Sequence, residues 1–400
     1  MELTELALRR AEAPSMAEFQ RREGLPPTGR LDAATWSKLL PWLTGFRYYR
    51  VEAGDTYARI AARFGTTVRA LITANPSQDP LRLYVGQVLT APLGFPVVPA
   101  DLPFTYELLS LCLEGLGARY PFLTVRPIGE TAYGRKLPQI ALGLGPRRIL
   151  YNAAHHANEW ITVPVLMKFL EDYARAVSEN GRIFGFSAQA LYQRTTLHLV
   201  PMVNPDGADL VTGGLEEGNP GWAEARALGS NYPEIPFPEG WKANLRGVDL
   251  NLNYPARWEQ ARTLKYAQGY DRPGPRDWVG PAPLSEPETE ALARLTERTE
   301  PGLTLSLHTQ GNVIYWKFGS MEPPGARELG ERFAAVSGYG LEDPPYASGF
   351  GGYKDWFILT RDRPGYTLEL GAGSNPLPLS QFGDIYARCL GILVLGLAEG

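Results

Sequence analysis

Four histidines in 400 residues, His155, His156, His198 and His308, restrict where metal or acid–base chemistry can arise. After the apolar run ILYNAA come His155-His156-Ala157-Asn158-Glu159, followed by a helical pattern. A histidine and a glutamate three apart, at a strand-to-helix turn, can aim imidazole and carboxylate at one point. That spacing alone is common. It gains weight from His308, which ends a second strand-like run, LTLSLHT, before a glycine turn. Two imidazoles and one carboxylate, His156, Glu159 and His308, make a three-ligand zinc site that leaves a fourth position for water. Zinc lowers the pKa of such a water from about 15.7 to roughly 7, and a base must then take its proton. Glu369 ends a third apolar run, GYTLELG, where a carboxylate is costly unless something pairs with it. His155 is expected to be a bystander, since one ligand is expected per turn. His198, alone in its strand, is expected to be structural.

The elements that must position these residues are an alternation of apolar runs and amphipathic helices. Expected strands are QIALGLG, RILYNAA, TTLHLVPMV, LTLSLHT and GYTLELG; the helix EWITVPVLMKFLEDYARAV lies among them. A second helix, SEPETEALARLTER, carries Ser285 and Glu288 at capping-box spacing. This alternation favours an α/β domain around a largely buried sheet. Sites in such sheets gather beyond the C-terminal ends of the strands, where the polar residues above fall. Cys112 and Cys389 sit in apolar helical stretches and are expected to be buried thiols.

Four hundred residues exceed one ordinary core, so more than one domain is expected. With 44% apolar and 20% charged residues the chain is globular in composition, and a net charge of −4 gives no reason to expect nucleic acid. The start, MELTELALRR, lacks the apolar core of a secretory signal, and Cys389–Ala398 is expected to be too short to span a bilayer. The chain as written is therefore expected to be cytoplasmic or associated with the cell envelope. Residues 1–44 read as short helices around Phe19, with Asp32 as N-cap of a helix bearing Trp36 and Leu39. Residues 46–92 read as strand–helix–helix–strand. Tyr48, Tyr49 and Val51 open it, Gly54-Asp55 starts a helix, and Leu83, Val85, Val88 and Leu89 close it. Residues 93–103, rich in proline, read as a semi-rigid linker to a domain over 104–400.

Three resemblances sharpen this reading. FQ…GLP.TGRLD..TW..L is similar to the second half of a helical peptidoglycan-binding module. YRVEAGDTYARIAARFGTTVRALITANP…LYVGQVL resembles a LysM domain, which implies binding to N-acetylglucosamine-containing glycans such as peptidoglycan. Residues 104–400 resemble the zinc carboxypeptidase family in the order H-x-x-E, strand-end His, late Glu. The implied fold is α/β: a carboxypeptidase-like mixed central sheet flanked by helices, preceded by a small helical module and a βααβ LysM module.

The family resemblance implies one Zn2+ on His156, Glu159 and His308, with Glu369 as general base. It implies that Asp249, in WKANLRGVDLN, accepts a hydrogen bond from the first zinc histidine. Lys242 falls where the family has a carbonyl-polarising arginine, and lysine lacks the planar fork. Tyr346 resembles the family's mobile tyrosine, with Tyr353 as competitor. In the family's D-x-N-R-N motif, which binds a C-terminal carboxylate, this chain reads Asp249-Leu250-Asn251-Leu252-Asn253. Asn251 remains, but a leucine cannot form the bidentate pair that anchors a carboxylate. Together with GGYKDWF and GAGSNPLPLSQF, that departure resembles the γ-D-glutamyl-(L)-diamino-acid endopeptidases of bacterial cell walls. Lys354, two residues before Trp356, is expected to meet a substrate carboxylate such as that of diaminopimelate, or else to be a solvated surface lysine. The expected partners are peptidoglycan or muropeptides, with no membrane span. The alternatives are a carboxypeptidase acting on ordinary peptides and a non-catalytic glycan-binding wall protein.

Overall fold

A computed structural model describes residues 2–400, which form two compact units. The first takes in the chain up to Leu102, with Glu107–Thr124 and Glu171–Gly181. Its leading helices are Leu3–Arg10, Met16–Arg22 and Ala33–Thr44, the last capped by Asp32, whose carboxylate accepts from Thr35 N at 2.7 Å. Strands β1 (Phe46–Arg50) and β2 (Val88–Pro92) then pair antiparallel around helices Tyr57–Arg63 and Val68–Ala74. Val51, Tyr57, Ile60, Leu71, Leu89 and Ala91 form the small core this leaves. Two local expectations change. Thr56, not Asp55, caps the helix, because the Asp55 carboxylate is taken by Tyr49 Oη (2.6 Å) and Glu52 N (2.8 Å). The closing strand begins only at Val88, because Gly86, at φ 88°, turns the chain and leaves Val85 exposed. The proline-rich stretch is held within this unit by Glu171, whose carboxylate accepts from Val97 N and Val98 N at 2.7 and 3.0 Å.

The second unit holds the remainder, around an eight-stranded sheet. Its strands are β3 (Thr124–Glu130), β4 (Lys136–Leu142), β5 (Arg147–Ala153), β8 (Thr195–Val200), β9 (Leu303–His308), β10 (Val313–Tyr315), β11 (Gly340–Glu342) and β12 (Gly365–Glu369). The short pair β6 (Arg182–Ile183) and β7 (Phe186–Ser187) lies apart. The order is β11-β10-β12-β9-β5-β8-β4-β3, and the middle four strands, β12, β9, β5 and β8, run parallel. All six residues of β9 are buried, as a sheet covered on both faces requires. Parallel strands end on the same edge, so the loops after β5, β9 and β12 emerge side by side.

The helix over Ser285–Arg298 is present as Pro287–Thr299, but its capping box is not formed. Asn253 Oδ1 accepts from Glu286 N (3.3 Å) and Thr289 Oγ1 (2.8 Å), so tertiary partners replace the local cap. The terminal helix also departs from expectation. Leu379–Glu399 is long and apolar enough to cross a bilayer by length and composition, yet 61% of an apolar 18-residue window within it is buried in the protein. Cys389, Ile392, Leu393 and Val394 are completely buried, as in a core helix.

Candidate metal centre

The turn after β5 is built by its own sequence. Ala154 adopts φ 51°, and Thr162 Oγ1 both accepts from Ala154 N (3.2 Å) and donates to Glu159 O (2.7 Å). Asn204, beyond β8, donates to His155 O (3.2 Å) and Ala243 O (2.9 Å), and Ala157 N donates to Lys242 O (3.0 Å). His156 and Glu159 are thereby turned toward the end of β9. His308 Nδ1 lies 3.2 Å from His156 Nδ1, and Glu159 sits 2.8 Å from one and 2.9 Å from the other. Donors about 2.0–2.1 Å from a tetrahedral zinc stand roughly 3.3 Å from one another, so these three side chains fit the ion. All three are buried, and one donor atom from each lies within 4.8 Å of the others.

Asp249 fixes the remaining ring nitrogen. Its Oδ1 is 3.1 Å from His156 Nε2, so the proton belongs on Nε2 and the lone pair on Nδ1 faces the cluster. Asp249 is itself held by Asn251 N (3.2 Å), Asp277 N (3.2 Å) and, through its own N–H, Trp278 O (2.8 Å). Burial opposes its charge, but His156 and Lys242 outweigh burial and hold Asp249 below the usual carboxylate range. Glu159 is likewise held well below it: burial works against the charge, and His156 and Lys242 override it. Burial also disfavours the charge on His156, yet Glu159 and Asp249 raise it to about 9. Glu159 and Asp249 thus put negative charge on either side of His156, which a divalent cation held at Nδ1 would compensate.

Around the cluster lies a cleft of about 680 Å³. Glu369, the last residue of β12, lines it and is the register partner of His308. Burial, and then repulsion from Glu159, raises Glu369 to about 8, while Lys242 and His156 pull it back. Lys242 approaches Glu159 at 3.6 Å; burial disfavours its charge, but the Glu159 and Asp249 carboxylates hold its pKa above the ordinary value. Asn251 lines the cleft, its Oδ1 accepting from Tyr353 N at 3.1 Å. Lys354 is not a solvated surface lysine. It is buried, with Nζ 2.6 Å from Lys317 O and 2.5 Å from Asp355 Oδ1. Leu252 is packed with Leu250, Tyr254 and Phe350, so no cation stands at that motif position.

The structure does not bring Tyr346 into the cleft. It is 66% exposed, its hydroxyl accepting from Gln260 Nε2 at 2.7 Å, although Pro345 and Ser348 of the same loop line the cleft. Tyr353 is fully buried against Thr296 (2.8 Å) and Trp356, which removes it as a competitor. His155 is buried against Tyr254 Oη (3.0 Å), and burial, followed by the neighbouring histidines, holds it well below its ordinary pKa. His198 pairs with Gln139 (3.0 Å) and is pushed down to about 4 by burial, then by Arg148 and Arg298.

Several lining residues escaped sequence reasoning: Asp355, the cluster Lys265–Asp277–Arg276, and Asn375 with Thr309, whose side chains meet at 2.7 Å. The adjacent Lys354-Asp355 pair inside the aromatic run Tyr353–Trp356 was a usable signal. The others come from loops with no pattern.

A family profile described as zinc carboxypeptidase matches residues 110–386. The chain belongs to the zinc carboxypeptidase family. Members are zinc metallopeptidases, and this one carries the buried His–Glu–His set that could hold the family's single zinc. A LysM domain matches residues 49–92, and a peptidoglycan binding domain matches residues 15–39. The chain is 44% identical over 305 residues to γ-D-glutamyl-L-diamino acid endopeptidase 1 of Lysinibacillus sphaericus, covering 76% of this chain and 75% of that protein. It is 40% identical over 276 residues to the uncharacterized protein YqgT of Bacillus subtilis, covering 68% and 72%. Among solved structures, thrombin activatable fibrinolysis inhibitor superposes with a TM-score of 0.58 at 18% identity, covering 75% of each chain, a likeness of fold alone.

Proposed function

We propose that this zinc metallopeptidase hydrolyses the bond between D-glutamate and the following diamino acid in peptidoglycan stem peptides. The observation that carries the choice is Leu252, buried among apolar side chains where the family's carboxylate-binding arginine would stand. A site without that anchor has no means there to demand a free C-terminus, which favours endopeptidase over carboxypeptidase action. The 44% identity to an enzyme named for this bond supports the same reading.

His156, Glu159 and His308 would hold the zinc. When bound, the ion supplies Lewis acidity, making hydroxide available near neutral pH and polarising a carbonyl. Asp249 keeps His156 in the tautomer that offers Nδ1. Glu369, half-buried at the end of β12 and raised to about 8, takes the proton of the attacking water and returns it to the leaving amine. Lys242 contributes a fixed positive charge beside the acyl oxygen. Asn251 and Lys354 receive the diamino acid on the leaving side. Tyr346 enters this scheme only through movement of its loop.

The proposed division of labour is a helical module over 1–44, a LysM module over 46–92, a connecting stretch over 93–103 and a catalytic domain over 104–400. The first two would hold the enzyme on peptidoglycan, raising local substrate concentration without new contacts in the cleft. Digestion of defined muropeptides, followed by mass detection with and without a chelator, tests the scheme. Products ending in D-glutamate, formed equally from a stem peptide blocked at its C-terminus, are expected. Cleavage confined to the unblocked peptide would return the enzyme to the carboxypeptidases.

A further inference from the structure

Four cations line the cleft: Lys242, Lys265, Arg276 and Lys354. Three are engaged. Lys265 is bound to Asp277 at 2.6 Å, Lys354 to Asp355 and Lys317 O, and Lys242 faces Glu159. Arg276 differs. Its Nε meets Asp277 Oδ2 at 2.5 Å, but neither Nη1 nor Nη2 has a hydrogen-bond partner among the described residues, and the side chain is 40% exposed. The backbone fixes it on both sides. Pro275 O accepts from Lys242 N (2.7 Å) and Ala243 N (2.9 Å), while Asp277 N donates to Asp249 Oδ2 at 3.2 Å. The residue is thus locked against the segment that carries Lys242 and Asp249, with two guanidinium nitrogens unspent.

We infer that Arg276 is the specificity residue for the acyl side of the scissile bond, receiving the free α-carboxylate of a γ-linked glutamyl residue. This rests on the endopeptidase reading above, in which Lys242 lies beside the acyl oxygen. A glutamyl residue joined through its side chain keeps its α-carboxylate, displaced from the scissile carbonyl by three carbons. An α-linked residue without an acidic side chain has no carboxylate at that distance, and an α-linked glutamate differs from the γ-linked one only in the carbon that bears nitrogen. A planar guanidinium with free Nη groups is the donor that suits a carboxylate, and Nε pairing with Asp277 holds the plane in a fixed orientation. Arg276 therefore reads the carboxylate on the acyl side, not the amino acid that follows the scissile bond.

The test compares two stem peptides that differ only in the glutamyl α-group, free carboxylate against carboxamide, on the full-length zinc enzyme and on Arg276→Ala and Arg276→Lys. The wild type is expected to favour the free carboxylate by about 10- to 100-fold in kcat/KM, mostly through KM, as loss of a hydrogen bond to a charged group predicts. Arg276→Ala is expected to bring that ratio close to one, and Arg276→Lys to restore part of it. Zinc content of each variant shows whether the ligand set is intact. Equal wild-type rates on the two peptides would overturn the inference. So would an equal fall on both in Arg276→Ala with loss of zinc, which would mark Arg276 as a support for Asp249 through Asp277. If the wild type cuts neither peptide, the endopeptidase reading fails first and takes this inference with it.

Discussion

The decisive contacts are side-chain pairs whose members lie far apart in sequence. Glu369 and Asp249 make separable predictions. Replacing Glu369 by Gln keeps the shape of the cleft and removes the base, so turnover should fall by roughly 10²–10⁴-fold while metal analysis still finds one zinc per chain. Replacing Asp249 by Ala leaves His156 Nε2 without its acceptor. Zinc affinity, measured by competition with a chelator, should drop about 10- to 100-fold. At this scale the sequence was legible where chemistry and pattern coincide. His156, Glu159, His308 and Glu369 each terminate or follow an apolar run; His156, Glu159 and Glu369 line the cleft, and His308 stands behind them in the metal cluster. Arg276, Thr309 and Asn375 sit in irregular segments, where neither period nor spacing marks a residue, and only the folded chain brings them together.

Among the elements, β5, β8, β9 and β12 were visible as strands because a strand buried on both faces is a continuous apolar run. Strand β3 was not, since five of its seven residues are exposed, and β10 and β11 are three residues each. The helix Pro287–Thr299 shows tertiary structure overriding a local motif: Glu288, expected in a capping box, is buried with Oε2 lacking a hydrogen bond. Burial, reinforced by the Glu286 and Asp206 charges, raises Glu288 from 4.5 to about 8. Below the unfolded value both states hold the proton and the contribution to stability is complete. Between the two values the unfolded chain releases its proton first, so stability falls as pH rises, and the loss is complete above about 8. The loss from this one group is on the order of a few kcal/mol. Thermal unfolding from pH 5 to 8 should accordingly show a shallower decline for Glu288→Gln than for the wild type.

For the whole molecule, the glycan-binding and catalytic functions should respond differently to metal removal. No residue of the LysM or peptidoglycan-binding matches lines the metal cleft. Stripping zinc with a chelator should therefore abolish hydrolysis while co-sedimentation with purified peptidoglycan persists; release of the protein from the pellet would contradict this. One feature of the sheet bears on how such an enzyme can change over time. His308 and Glu369 are cross-strand partners on adjacent parallel strands, so the distance between ligand and base is set by the hydrogen-bond ladder and not by any loop. Insertions in the 56 residues between β9 and β12 can lengthen the rim and remodel the substrate cleft without moving the reacting pair. A single residue added inside β12 would instead turn Glu369 to the opposite face. Variation in specificity is thereby channelled into the loops, while the chemistry is inherited with the ladder.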